Sequence, residues 1–147
     1  MSFINPAREQ FKALYALRDD QPVCMLNLLR FRDLALYEQT EAGTPPGPIS
    51  GREAYERYSA EAQDVFHRAG GQQLWIGLPQ TTLIGPADEP WSLAFVAFYP
   101  TTKAFLEMVK SPQYQSATRH RTAALSDSRL IVCSQLQAGR SFSPLSY

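Results

Sequence analysis

Apolar residues fall into two kinds of pattern along the chain: short runs apolar on both sides, and longer stripes at helical spacing. Val23 to Phe31 is a run of the first kind, bounded by Pro22 and by Arg32-Asp33, and reads as a strand. Its two faces are Val23, Met25, Asn27, Leu29, Phe31 and Cys24, Leu26, Leu28, Arg30. Trp91 to Tyr99 repeats the pattern, with Trp91, Leu93, Phe95, Ala97, Tyr99 opposite Ala94, Val96, Phe98. Between them, Ser50 and Glu53 are spaced as a capping box and open a helix with Ala54, Tyr55, Tyr58, Ala62, Val65, Phe66 and Ala69 on one face. Gly70-Gly71 closes it through a left-handed cap. Gln73 to Leu78 and Thr81 to Ile84 read as extended, with a bulge or bend at Gly77 and Pro79. After Pro100 a helix runs to about Lys110, and Ser111-Pro112 restarts it through about Leu125. Arg129 to Leu136 is the last expected strand. At the front, Asn5-Pro6 signals a helix with Phe11, Leu14, Tyr15 and Leu17 as its stripe, ended by Asp19 to Pro22.

Without the leading helix the order is strand, helix, strand, strand, helix, strand. That is the split βαβ, ferredoxin-like arrangement: α+β, βαββαβ, an antiparallel four-stranded sheet with both helices on one face. We expect a single domain over 1–147, with its core at about 22–136, residues 1–21 as an N-terminal helical appendage and 137–147 as a tail. Such a sheet normally shows clean alternation, because its second face meets water. The first and third strands do not alternate cleanly, so the second face needs a cover. A second copy of the same sheet, giving a homodimer, is the simplest one. The rival cover is the leading helix together with the Pro- and Gly-rich loop Arg32 to Ser50.

Composition narrows the partners. Fourteen basic and 14 acidic side chains leave no net charge, so the basic excess of a nucleic-acid binder is absent. The longest apolar run is too short to span a bilayer, and the N-terminus lacks a signal-peptide pattern. The chain reads as cytoplasmic. Cys24 and Cys133 make neither a disulfide framework nor a zinc site; they sit on strands expected to be neighbours and read as buried thiols acting as small hydrophobes. His67 and His120 have no partner at metal-ligand spacing, and no metal or cofactor is expected. Phosphate-binding glycine loops, a serine-hydrolase elbow and Cys-x-x-Cys are all missing.

Ala54-Tyr55-Glu56-Arg57-Tyr58, then Gly70-Gly71, then Ser111-Pro112-Gln113-Tyr114-Gln115 followed by Arg121 and Ala124, resembles a bacterial family, domain of unknown function 1330. The family motif Ser-Pro-Glu-Tyr-Gln differs only at Gln113. Met25 to Arg32 is similar to the longer members, which insert a loop before the first main helix. The resemblance covers about residues 22 to 136 and implies a dimeric α/β barrel built from ferredoxin-like halves. It implies no particular reaction: the wider superfamily includes cofactor-free monooxygenases, lactone isomerases and haem-degrading enzymes.

Seven residues are candidates for a small-molecule pocket between helices and sheet. Tyr114, Ala117 and Arg121 share one helical face, where an arginine is unusual because buried charge must be paired. Arg121 either binds a carboxylate or enolate, with Tyr114 donating beside it, or makes a structural ion pair. Asn27 either points into a cavity and orients a ligand carbonyl, or ties down the Arg32 to Ser50 loop. Arg30, beside Arg32, is an anion clamp or a solvated strand end. Tyr55, Tyr58 and Trp75 are pocket walls or simply core aromatics. Two functions follow from the same cleft. One is a cofactor-independent enzyme, isomerase- or monooxygenase-like, acting on a small carboxylated or enolisable molecule; the other is a non-catalytic small-molecule binder. No acid–base or nucleophile–base pair is legible, so whether the chain is an enzyme stays open at this stage.

Overall fold

The β-rich runs at Val23 and Leu93 become the two central strands of the sheet, because each carries apolar residues for both faces. A computed structural model describes residues 2–38, 43–136 and 138–139. In chain order the elements are α1 (Arg8–Tyr15), β1 (Val23–Phe31), α2 (Gly51–Arg68), β2 (Gln72–Gly77), β3 (Leu93–Tyr99), α3 (Thr102–Lys110), α4 (Pro112–Ala124) and β4 (Leu125–Cys133). The strands form one antiparallel sheet in the order β2-β3-β1-β4, the ferredoxin-like order expected from the pattern. The expected tail, apart from residues 138–139, lies outside the described residues. Among those described, no helix is long and apolar enough to cross a membrane.

Local chemistry accounts for the element ends. Ser50 Oγ accepts from the Glu53 N–H at 3.0 Å and starts α2. Gly70, at φ +79°, ends it: its N–H reaches the His67 carbonyl while that of Gly71 reaches Phe66, the paired bonds of a Schellman motif. Thr101 and Ser111 cap α3 and α4 in the same way as Ser50. At Gly51 three backbone segments meet. Arg32 N–H donates to the Ala124 carbonyl, Gly51 N–H donates to that of Arg32, and a Cβ at Gly51 would lie 2.2 Å from the Arg32 oxygen.

Four expectations are corrected. The leading helix starts at Arg8 rather than at Pro6, and Gln10 Oε1 reaches back to accept from the N–H of Ala7, its N-cap residue, at 2.8 Å. Thr81 to Ile84 forms no strand: it pairs with no edge of the sheet, and Leu83 and Ile84 are left 90% and 93% exposed. The last strand begins at Leu125 rather than Arg129, directly after α4, and ends at Cys133. The bulge in β2 falls between Gln73 and Trp75, not at Gly77.

The helix-side face of the sheet carries two buried clusters. One joins Val23, Met25, Ala97 and Tyr99 to Ala62 and Val65 of α2, with Met108 and Ala117 from α3 and α4. The other joins Leu29 and Leu125 to Ala54, Tyr55 and Ala124, with Ala35, Tyr37 and Ile49 of the long loop packed against it. The described parts of that loop are therefore held on the helix side, through Leu36 N–H to the Ala123 carbonyl and Ala35 N–H to that of Ile49. Helix α1 is also on this side, with Asp19 accepting from the Lys103 N–H and Lys110 Nζ 5.0 Å from the Tyr15 ring centre. The rival cover for the far face is thus placed elsewhere. Leu26, Leu28, Val96, Phe98, Trp75 and Ile131 lie there, and Trp75 and Ile131 are more than half exposed.

Candidate functional site

Helices α2 and α4 pack closely on one another but stand off the sheet, leaving a cleft of about 1640 Å³. The strand alternation decides its floor: Met25, Asn27 and Phe31 of β1 and Leu93, Phe95, Ala97 and Tyr99 of β3 point into it. Its roof comes from Tyr55 and Tyr58 of α2 and Tyr114 and Arg121 of α4. Phe3, Ile4, Phe11 and Leu14 of the leading segment close one side.

Five of the seven candidate residues meet in this cleft. Tyr58 and Tyr114 share a hydroxyl–hydroxyl hydrogen bond of 2.9 Å, and their rings meet edge-on. Tyr55 packs against both Tyr58 and Phe31, with ring centres 5.2 and 5.4 Å away. Burial pushes the Tyr55 and Tyr58 hydroxyls well above the usual tyrosine pKa, Tyr114 adds to the rise, and the Arg121 charge pulls both down a little. Both are therefore neutral donors at physiological pH. Arg121 Nη1 donates to the Ile4 carbonyl oxygen at 2.6 Å. Among the described residues no carboxylate lies within ion-pair distance of it. Asn27 is 7% exposed, and its amide nitrogen donates to the Met25 carbonyl at 3.1 Å, two residues back in its own strand. It does not tie down the loop, and its carbonyl oxygen has no hydrogen-bond donor among the described residues.

Arg30 and Trp75 do not line the cleft. Arg30 is on the far face of β1, where it donates to the Pro90 and Asp88 carbonyls and lies 5.8 Å from the Trp91 ring centre. Trp75 is turned away by the bulge: Gln73 pairs with Ala97 of the helix-side face, but Trp75 pairs with Val96 of the other.

The sequence pattern missed three contributors. Tyr99, read only as part of a strand, reaches the cleft with its hydroxyl pKa raised by burial. The Ile4 carbonyl on Arg121 is a backbone group and leaves no trace in the sequence. His120, set aside with the other histidine, is 1% exposed; its Nδ1 lies 2.6 Å from the Tyr37 hydroxyl and its Nε2 lies 2.5 Å from Glu61 Oε2. That network straps the long loop to α2 and α4 outside the cleft. Among the described residues, no three His, Cys, Asp or Glu side chains are grouped to hold a metal ion.

A four-stranded antiparallel sheet in this order, with helices over one face, defines a ferredoxin-like α+β protein. The family described as domain of unknown function (DUF1330) matches residues 48–135, and the chain belongs to that family. It is similar to the RPA0582 protein of unknown function from Rhodopseudomonas palustris, with 40% identity, 94% of this chain and 100% of that chain covered, and a TM-score of 0.85. The methylated form of RPA0582 gives 39% identity, 95% and 98% coverage and a TM-score of 0.86. A protein of unknown function from Bacteroides fragilis, described as dimeric with a ferredoxin-like fold, is similar at 10% identity, with 80% and 100% coverage and a TM-score of 0.48. No curated protein matches the chain.

Proposed function

We propose that the cleft binds a small, largely apolar molecule bearing a carboxylate or enolate oxygen, and that the chain converts it without a cofactor, as an isomerase- or monooxygenase-like enzyme. The observation that carries this is Arg121: a permanent cation at the wall of an aromatic cleft, held among the described residues by a neutral carbonyl and no carboxylate. A guanidinium in a partly desolvated site gains most from an anionic oxygen, and a neutral tyrosine hydroxyl beside it stabilises charge that develops there. In this reading Arg121 and the Tyr58–Tyr114 pair hold the oxygen, Asn27 accepts from a ligand donor, and Tyr55, Phe95 and Tyr99 form the apolar wall. The second reading, a non-catalytic binder, is favoured by one feature: the carboxylate and imidazole groups that line the cleft, Glu56 and His67, are both exposed, so among the described residues no buried base stands beside the tyrosines. Both readings include a homodimer paired through the far face of the sheet.

Thermal-shift screening of small carboxylic acids, phenols and quinones finds the ligand class, because a bound molecule raises the melting temperature by mass action. Arg121→Ala is expected to weaken the best acid about 10- to 100-fold, the usual worth of a charge-assisted hydrogen bond, with little change in the melting temperature of the free protein. Unchanged affinity in that variant sinks the anion site. Binding without turnover, followed by ultraviolet absorbance or NMR, selects the non-catalytic reading.

A further inference from the structure

The register between β1 and β4 sets Cys24 directly opposite Cys133. Directly opposed residues on antiparallel strands have Cα atoms about 4.5–5.5 Å apart and side chains on the same face. A disulfide spans Cα separations of about 4.4–6.8 Å, so the pair can close without the strands moving. The two thiols differ in a way that suits oxidation. Both lie on the far face toward the strand ends, outside the Leu26–Val96 centre at which a second copy is proposed to pair, and Cys133, the last residue of an edge strand, is exposed, contrary to the sequence expectation that both are buried. Cys24 is 6% exposed on the central strand. Burial lifts the Cys24 thiol above its ordinary pKa, and the nearby Cys133 adds to that rise, as expected for neighbouring sulfurs.

We propose that Cys24 and Cys133 are a redox-reactive pair that closes reversibly into a cross-strand disulfide on exposure to a peroxide. The Cys133 thiolate attacks a peroxide oxygen; the S–O bond forms, the O–O bond breaks, and hydroxide leaves to be protonated to water. The Cys24 sulfur then gives up its proton and attacks the sulfenic sulfur of Cys133. The S–S bond forms and the S–O bond breaks, releasing a second water. In sum two thiols are oxidised and one hydrogen peroxide is reduced to two waters; a dithiol reverses the closure by exchange. The link joins the edge strand β4 to the central strand β1 and closes a chain loop of more than a hundred residues.

The full chain is treated with a small molar excess of hydrogen peroxide and compared with a sample kept in dithiothreitol. The expected product has lost the mass of two hydrogens and runs as a single chain on a non-reducing gel. It yields a peptide in which Cys24 is joined to Cys133, and it melts about 5–10 °C higher than the reduced form. Dithiothreitol restores both mass and melting temperature. The Cys24→Ser variant, lacking the resolving thiol, instead gains oxygen at Cys133 or links between chains. Cys133→Ser, altered only at an exposed position, stays unmodified at the same dose. The proposal is overturned if the wild-type chain gains oxygens at Cys133 without the loss of two hydrogens. It is equally overturned if disulfides form only between chains, or if Cys24→Ser gives the wild-type product.

Discussion

Tyr55, Tyr58 and Tyr99 hold their hydroxyls in a cleft wall where ionisation is opposed by burial, and in each the neighbouring Tyr114 opposes it further. A pKa raised on folding means that the neutral hydroxyl stabilises the native state. That stability is fully present below the ordinary tyrosine pKa of about 10 and is lost as pH climbs above it. Of the seven tyrosines in the chain, these three are therefore expected to ionise only as the protein unfolds. An alkaline titration followed at the phenolate absorbance and by far-ultraviolet circular dichroism separates the outcomes. Three slow ionisations should coincide with loss of secondary structure; seven ionising together near pH 10, with the dichroism intact, would refute the buried arrangement. Tyr58→Phe removes one end of the Tyr58–Tyr114 bond and leaves the ring packing, so a stability loss of about 0.5–1.5 kcal/mol in urea is expected for it.

At the scale of elements, the leading segment and β4 depend on one another through Asp127. Burial alone would raise the pKa of this carboxyl. The Phe3 N–H at 2.9 Å, Arg129 Nη1 at 2.7 Å and the Ser128 N–H at 2.9 Å together outweigh burial and hold it below the usual carboxylate range. A depressed carboxyl contributes stability that is present above the unfolded-state pKa of about 3.9 and lost as pH falls through the lower folded value. Asp127→Asn should therefore cost about 1–3 kcal/mol in urea unfolding at pH 7, and the gap from wild type should narrow as pH falls below the ordinary carboxylate range. A gap independent of pH would mean that charge plays no part. The same contacts explain why β4 was misplaced in the sequence. Ser126-Asp127-Ser128 has the polarity of a turn, but Asp127 and Ser128 bond to Phe3 from more than a hundred residues away, and no local window contains that partner. β1, α2, α3 and α4 were legible because their caps and apolar stripes lie within each segment. Trp75 was misassigned for another reason: one extra residue at the β2 bulge inverts the faces, and alternation counted from Gln73 runs straight through it. Tyr55, Tyr58, Tyr114 and Arg121 were legible from helical spacing. The Ile4 carbonyl on Arg121 was not, because a backbone acceptor has no side-chain signature.

For the whole molecule, the two faces of the sheet have different fates. One is covered by α2, α3 and α4, with α1 and the long loop on the same side. The other keeps Leu26, Leu28, Val96 and Phe98 only half-buried and Trp75 and Ile131 open. Its charges do not interrupt the apolar centre. Arg30 and Arg129 lie toward one end, flanking the Trp91 ring, and Arg129 is paired with Glu89 and Asp127. A face of this kind suits a second copy of itself. A two-fold axis sets apolar centre on apolar centre, and a chain with no net charge meets its copy without long-range repulsion. Light scattering at micromolar concentration should then report twice the chain mass. Val96→Glu places a charge at the middle of the face, where no described residue offers it a partner, and should give a monomer with unchanged circular dichroism. The two measurements discriminate together: a monomeric wild type removes the pairing outright, and a Val96→Glu dimer moves it to another surface. A Val96→Glu monomer that still shows the thermal shift with small acids would place the whole ligand site within one protomer, as a cleft on the opposite side of the sheet requires.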